Sequence, residues 1–291
     1  MSIIKTEKLT KYYGKARGII DVDLSVNEGD FFGFIGPNGA GKSTTIRILL
    51  GLISKTSGKA EIFSKDISQN KIEILSDIGY LPSETVFYNG MKVKDILSFS
   101  GKLRGGNYEK EAKILCERLD LDYTRKIEEL SFGNRKKVGI VCALQHKPSL
   151  YILDEPTSGL DPIMQNEFYS ILKERNEEGA TVFLSSHILS EISKYCKTAA
   201  IIREGKLLLT DEVKNLSYTG VKRISLKNVN KLPDFENIRN LKQDNENVNF
   251  LYSGSTEILM KNLASLSFED ITISDSDLND VFLHYYAKEE K

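Results

Sequence analysis

The run Gly36, Pro37, Asn38, Gly39, Ala40, Gly41, Lys42, Ser43, Thr44 constrains this chain more than any other feature. It lies between an apolar run, Phe31 to Ile35, and a helical pattern, Ile46, Leu49 and Leu50. The pattern G-x-x-x-x-G-K-[ST] in a strand–loop–helix context is that of a loop that cradles phosphates. Chance would produce it in roughly one such chain in a hundred, so an ordinary glycine-rich turn is the weaker reading. Glycines let the backbone wrap closely round a polyphosphate, where a Cβ would block the approach. Successive N–H groups then point inward, and the following helix adds the positive end of its dipole. Lys42 would bring a point charge to the β- and γ-phosphates, Ser43 a hydroxyl to Mg²⁺, and Thr44 a contact to a phosphate beside it. A nucleoside triphosphate is the expected ligand.

At 291 residues the chain has room for one large domain or two modest ones. Its apolar fraction of 40% suits a packed core. Lys and Arg number 40 against 41 Asp and Glu, a net charge of −1, so no nucleic-acid partner is expected. The local basic run Arg135, Lys136, Lys137 reads as a solvated helix face. Cys116, Cys142 and Cys196 show no metal-type spacing and suit a reducing, cytosolic compartment. No run approaches the ~18 apolar residues of a membrane span, and the first residues lack a signal-peptide core. The expectation is a soluble protein whose membrane role, if any, comes through a partner.

Short apolar runs alternate with helical patterns over the first 210 or so residues, the mark of an α/β sheet. Strands are expected at 31–35, 78–81, 150–153, 181–184 and 198–202. Residues 3–9 and 19–26 alternate with polar positions and suggest a small antiparallel layer. Between Ser83 and Gln145 the pattern is almost wholly helical, as for a subdomain inserted in the sheet. After Asp211, strands are expected at 221–226 and 248–252. Leu278, Val281, Phe282 and Tyr285 would share one face of a helix opened by Asp275 and Asp277.

The second chemical element is SLYILDEPTSGLD, residues 149–161. An apolar strand ending in Asp154 and Glu155 puts two carboxylates at the rim of a parallel sheet, where such sheets bind ligands. Asp154 would hold Mg²⁺, largely through water. Glu155 would be the general base that polarises the water attacking the γ-phosphate.

These motifs, in this order, make residues 1 to about 210 resemble the nucleotide-binding subunit of an ATP-binding cassette (ABC) transporter. Tyr13, in KYYG, falls where that family stacks a ring on adenine; Tyr12 competes, and a core aromatic is the alternative. LSFGN at 130–134 is similar to the signature usually written LSGGQ, with Phe132 and Asn134 as departures. His187, in SSH, matches the switch histidine that contacts the γ-phosphate, whereas His146 and His284 match nothing and read as surface or packing residues. Where the family has a glutamine after IGYLP, this chain has Ser83 and then Glu84, and a bridging water or Glu84 would substitute as the Mg²⁺ contact.

The resemblance implies a P-loop NTPase ABC cassette of α/β class: a RecA-like core with an antiparallel β layer and an inserted helical subdomain at about 83–146. It spans residues 1–211, with a small C-terminal α+β module at 212–291. It implies ATP and Mg as cofactors, and ATP sites completed across an interface by Ser131 and Gly133, with Asp161 communicating across it. The partners implied are a second ABC ATPase subunit, the same or a close relative, and a separately encoded integral membrane permease. The expected place is cytoplasmic, peripheral on the inner face of the cell membrane. The ending DLNDVFLHYY favours exporters of the bacitracin, antimicrobial-peptide or lipid-linked kind. The cluster Val86, Phe87, Tyr88 and Met91 reads either as a groove for a permease helix or as core of the helical subdomain. The alternative function is a soluble, non-transport cassette acting on ribosomes or DNA.

Overall fold

The computed structural model describes residues 1–217 and 222–275, which fall into two compact units divided between Thr210 and Asp211. The first unit opens with β1 (Ser2–Tyr13), β2 (Ala16–Val22) and β3 (Ser25–Asn27), followed by β4 (Phe31–Ile35) and α1 (Lys42–Leu49). Next come β5 (Ser57–Ile62), β6 (Lys65–Asp66), α2 (Lys71–Ser76) and β7 (Ile78–Leu81). The helical block holds α3 (Val93–Leu103), α4 (Glu109–Arg118) and α5 (Phe132–Leu144). The unit is completed by β8 (Leu150–Asp154), α6 (Pro162–Glu177), β9 (Thr181–Ser186), α7 (Leu189–Tyr195), β10 (Thr198–Arg203) and β11 (Lys206–Glu212).

These strands form two layers. One has the order β2-β1-β5-β6, with β3 also on β1; the other has the order β11-β10-β4-β9-β8-β7. In the second, β10, β4, β9, β8 and β7 run parallel, and all five residues of β4 and of β8 are buried, as expected of strands covered on both faces. A single core joins the layers and α1, with Ile4, Leu9, Phe32, Phe34, Ile46, Leu49 and Phe183 among its members. The rings of Phe32 and Phe183 stack at 5.7 Å between centroids.

One strand expectation is corrected. Residues 19–26 are not continuous: Asp21 takes φ 46° and the chain passes from β2 to β3. Thr6 fills the break, its N–H donating to the Leu24 carbonyl at 2.8 Å while its hydroxyl accepts from the Leu24 N–H at 2.9 Å.

Helix α5 corrects a second expectation. Lys136 and Lys137 are 1% and 7% exposed, not a solvated face. The helix is enclosed on nearly every side, and the long lysine stems pack with it while their heads reach carbonyls. The approach to β7 is close: a Cβ at Gly79 would stand 2.4 Å from the Ala143 carbonyl oxygen.

The second unit holds α8 (Val213–Ser217), β12 (Lys222–Lys227), β13 (Ile238–Asp244), β14 (Asn247–Tyr252), α9 (Thr256–Leu263) and β15 (Asp270–Asp275). Its antiparallel sheet has the order β13-β14-β12-β15. Ile224, Leu226, Val248, Phe250 and Tyr252 form a separate core with Leu259 and Leu263 of α9. Asp275, expected to open a helix, is instead the last residue of β15. The face of Leu278, Val281, Phe282 and Tyr285, with Asp277 and His284, lies outside the described residues, as does Val221.

Candidate functional site

The loop from Gly36 to Gly41 turns directly off the buried end of β4, and Gly41 caps α1 at φ 112°. A Cβ at Gly36 would stand 2.5 Å from the Ile202 carbonyl oxygen, and one at Gly41 would stand 2.7 Å from the Ile19 side chain. Pro37 accepts the Ala40 N–H at 3.2 Å, and Ala40 accepts the Gly205 N–H at 2.8 Å. Asn38 is exposed, and around Gly39 (φ 79°) no atom lies within 4 Å of where a Cβ would be, so the tip faces open space. Ser43 and Thr44 are half-buried on the first turn of α1.

Lys42 is 5% exposed, and its ammonium donates to the carbonyls of Gly36 at 2.5 Å and Pro37 at 3.2 Å. Its Nζ also lies 3.2 Å from Glu155 Oε1, an oxygen that is buried without a hydrogen bond. The other oxygen, Oε2, is 2.7 Å from His187 Nδ1, at the end of β9. Glu155 holds φ 48°, a costly conformation that its N–H bond to the Ser185 carbonyl at 3.1 Å helps to fix. Asp154, 2% exposed, accepts the Ser185 hydroxyl at 2.5 Å. The structure thus brings Lys42, Asp154, Glu155 and His187 together from residues 145 positions apart (187 − 42).

The other expected residues are placed as follows. Ser131 is the N-cap of α5, its hydroxyl accepting the Asn134 N–H at 3.2 Å. Gly133 lies so near Gly159 that a Cβ would stand 2.5 Å from that carbonyl oxygen, and the Phe132 ring would meet a Cβ on Gly159 at 2.4 Å. Asp161 caps α6, one carboxylate oxygen accepting from the N–H groups of Ile163 and Met164 at 3.0 Å each. Tyr13 and its competitor Tyr12 are 47% and 41% exposed, which overturns the core alternative for Tyr13. A Cβ at Gly18 would stand 3.1 Å from the Tyr13 ring, and one at Gly41 would stand 3.4 Å from the Gly18 carbonyl oxygen. Ser83 is half-buried and Glu84 exposed. Val86 and Tyr88 are 89% and 80% exposed and so are not core of the helical subdomain.

Three supports escaped the sequence reading. The buried carboxylate of Glu191 accepts the hydroxyls of Thr157 at 2.7 Å and Ser186 at 2.9 Å, joining the segment after Glu155 to the one before His187. Ser185 holds Asp154. Lys136 donates to the carbonyls of Pro82 at 3.0 Å and Ser83 at 2.8 Å. Burial pushes its ammonium pKa down to about 8, against the pull of Asp154 and Glu155. Only the fold could reveal these, because each depends on a partner distant in sequence.

A buried ammonium held by neutral carbonyl acceptors and one carboxylate, under a glycine tip open to solvent, fits a polyphosphate better than anything the chain itself supplies. The class so defined is a phosphate-loop nucleoside triphosphatase. Residues 19–158 match the family described as ABC transporter. Similar proteins include the bacitracin transport ATP-binding protein BcrA of Bacillus licheniformis, 44% identical over 71% of this chain and 69% of that protein. Another is the linearmycin resistance ATP-binding protein LnrL of Bacillus subtilis, 35% identical over 71% of this chain and 68% of the other. Among solved structures, the ATP-binding subunit of an ABC transporter covers 74% of this chain and 91% of its own at 28% identity, with a TM-score of 0.70. The chain belongs to the ABC transporter family, as an ATP-binding subunit with ATPase function.

Proposed function

We propose that the chain powers an exporter by pairing with a second cassette and hydrolysing ATP at the centre around Glu155. The observation that carries this reading is the placement of Glu155, 2.7 Å from His187 and 3.2 Å from Lys42. On ATP binding, Lys42 exchanges its carbonyls and Glu155 for the β- and γ-phosphates, with the N–H groups of Gly36 to Thr44 around them. Tyr13 stacks on the adenine. Ser43 and Asp154, with Ser83 or Glu84 through water, would hold Mg²⁺, which would supply neutralisation of phosphate charge. Glu155, released by Lys42, takes a proton from the attacking water. The water oxygen bonds to the γ-phosphorus as its bond to the bridging oxygen breaks, giving ADP and phosphate. His187 hydrogen-bonds the γ-phosphate.

Ser131, Gly133 and Asp161 serve the other subunit's ATP, so the working form is a pair, homo- or heterodimeric. No helix among the described residues is long and apolar enough to cross a membrane, and the translocation path belongs to a permease partner. The pair sits on the inner, cytoplasmic face of the membrane. The relatives named for bacitracin transport and linearmycin resistance support a drug or antimicrobial peptide as cargo. Exposed Val86 and Tyr88 support the groove reading of that cluster. The test is Glu155→Gln. It should bind ATP, accumulate as a nucleotide-bound dimer in size-exclusion chromatography, and lose at least about 100-fold in turnover. Near-normal steady-state hydrolysis would remove Glu155 from the catalytic role.

A further inference from the structure

We propose that Lys136 is a positioning residue of the ATPase cycle, fastening the segment after β7 to the helix that carries Ser131 so that the two move together. The proposal rests on reading residues 36–44, Asp154 and Glu155 as the ATP-hydrolysing centre. The side chain is 1% exposed, and its two hydrogen bonds, to Pro82 at 3.0 Å and Ser83 at 2.8 Å, go to main-chain carbonyls rather than to a counter-ion. Taking an ammonium out of water is costly, and a methionine would fill the same space without that cost. What the lysine adds is a pair of donors fixed on one loop, and a charge.

Both are well placed. In the β7–β8 register Leu81 pairs with Leu153, which sets Pro82 and Ser83 beside Asp154 and Glu155 at the sheet rim. Those two carboxylates favour the charged lysine. Close packing stiffens the tie: a Cβ at Gly139, one turn beyond Lys136, would stand 2.5 Å from the Thr85 methyl. The Thr85 hydroxyl also donates to the Arg135 carbonyl at 3.4 Å. Helix α5 therefore cannot shift at this point without carrying residues 82–85, and its first turn presents Ser131. Charge changes at the carboxylate pair, as Lys42 leaves for phosphate, are felt from the helix side by Lys136.

The test compares Lys136→Met, which keeps the stem, with Lys136→Arg, which keeps charge and donors, in the full chain. Equilibrium binding of a fluorescent ATP analogue should change by less than about 3-fold in either variant, because Lys42 and the loop are untouched. The kcat for ATP should fall about 10- to 100-fold in Lys136→Met, the range expected for losing charged hydrogen bonds, and recover to within about 5-fold in Lys136→Arg. A second readout needs no turnover. On adding a slowly hydrolysed ATP analogue, amide exchange at 82–85 and 130–135 should change together in the wild type and separately in Lys136→Met. If Lys136→Met does not fold by circular dichroism, Lys136→Gln takes its place. Wild-type kcat in the Met or Gln variant, coupled exchange in it, or no recovery with arginine would overturn the proposal. A wild-type chain that binds ATP without hydrolysing it would instead overturn the ATPase reading, leaving the exchange result to judge Lys136.

Discussion

His146 shows what a single titratable residue contributes away from the nucleotide. Its Nε2 lies 3.3 Å from the Ile78 carbonyl, so that nitrogen donates, and Nδ1 is buried without a partner. Burial, helped by nearby Arg104, lowers its pKa to about 4. Between pH 6.5 and 4 the unfolded chain binds a proton that the folded chain refuses, so stability falls as pH drops through that window and this contribution levels off below it. His146→Gln should flatten the slope, by about 1–2 kcal/mol across the window after allowance for partial exposure. Urea unfolding at pH 4.5 and 7 measures it, and an unchanged slope would contradict the assignment. Of the two sequence readings of this histidine, surface or packing, its half-buried place beside Tyr108 favours packing. Lys136 was misread because the residues that bury it lie 50 or more positions away, around Pro82 and Ser83. By contrast the loop from Gly36 to Thr44, Asp154, Glu155 and His187 was legible, because their chemistry fixes type and spacing.

At the scale of elements, α5 is the piece on which most else leans. Gly79 of β7 and Gly139 of α5 permit the close approach, and both are positions where any side chain collides. Gly79→Ala should cost about 2–3 kcal/mol, because the new methyl meets the Ala143 carbonyl oxygen, Tyr151 and Pro148 together. Circular dichroism in urea would read the shift, and a loss under about 0.5 kcal/mol would show that the helix can retreat freely. The buried strands were legible as unbroken apolar runs. The break after Val22 was not, because it depends on Thr6 from another strand rather than on any local turn signal.

For the whole molecule, the decisive fact is that each unit has its own core. All the candidate nucleotide residues precede Asp211, and the seven buried core side chains among the described residues of the second unit come after it. A chain stopped after Glu212 should therefore stay folded and keep ATP affinity within about 3-fold, a change of less than about 0.7 kcal/mol. Loss of the circular dichroism signal on truncation would place the boundary elsewhere. The second unit was less legible than the first. None of the described residues of β13 and β15 is buried, and β13 is exposed along nearly all its length, so alternation is weak there. The Phe132 ring over Gly159 has a last implication, for sequence drift. Gly159 sits at φ 82°, and a side chain there would collide with the ring as well. Position 159 is therefore barred from change twice over, by its backbone and by the ring, whereas Phe132 is free to vary without it, so the glycine should outlast the ring as lineages diverge.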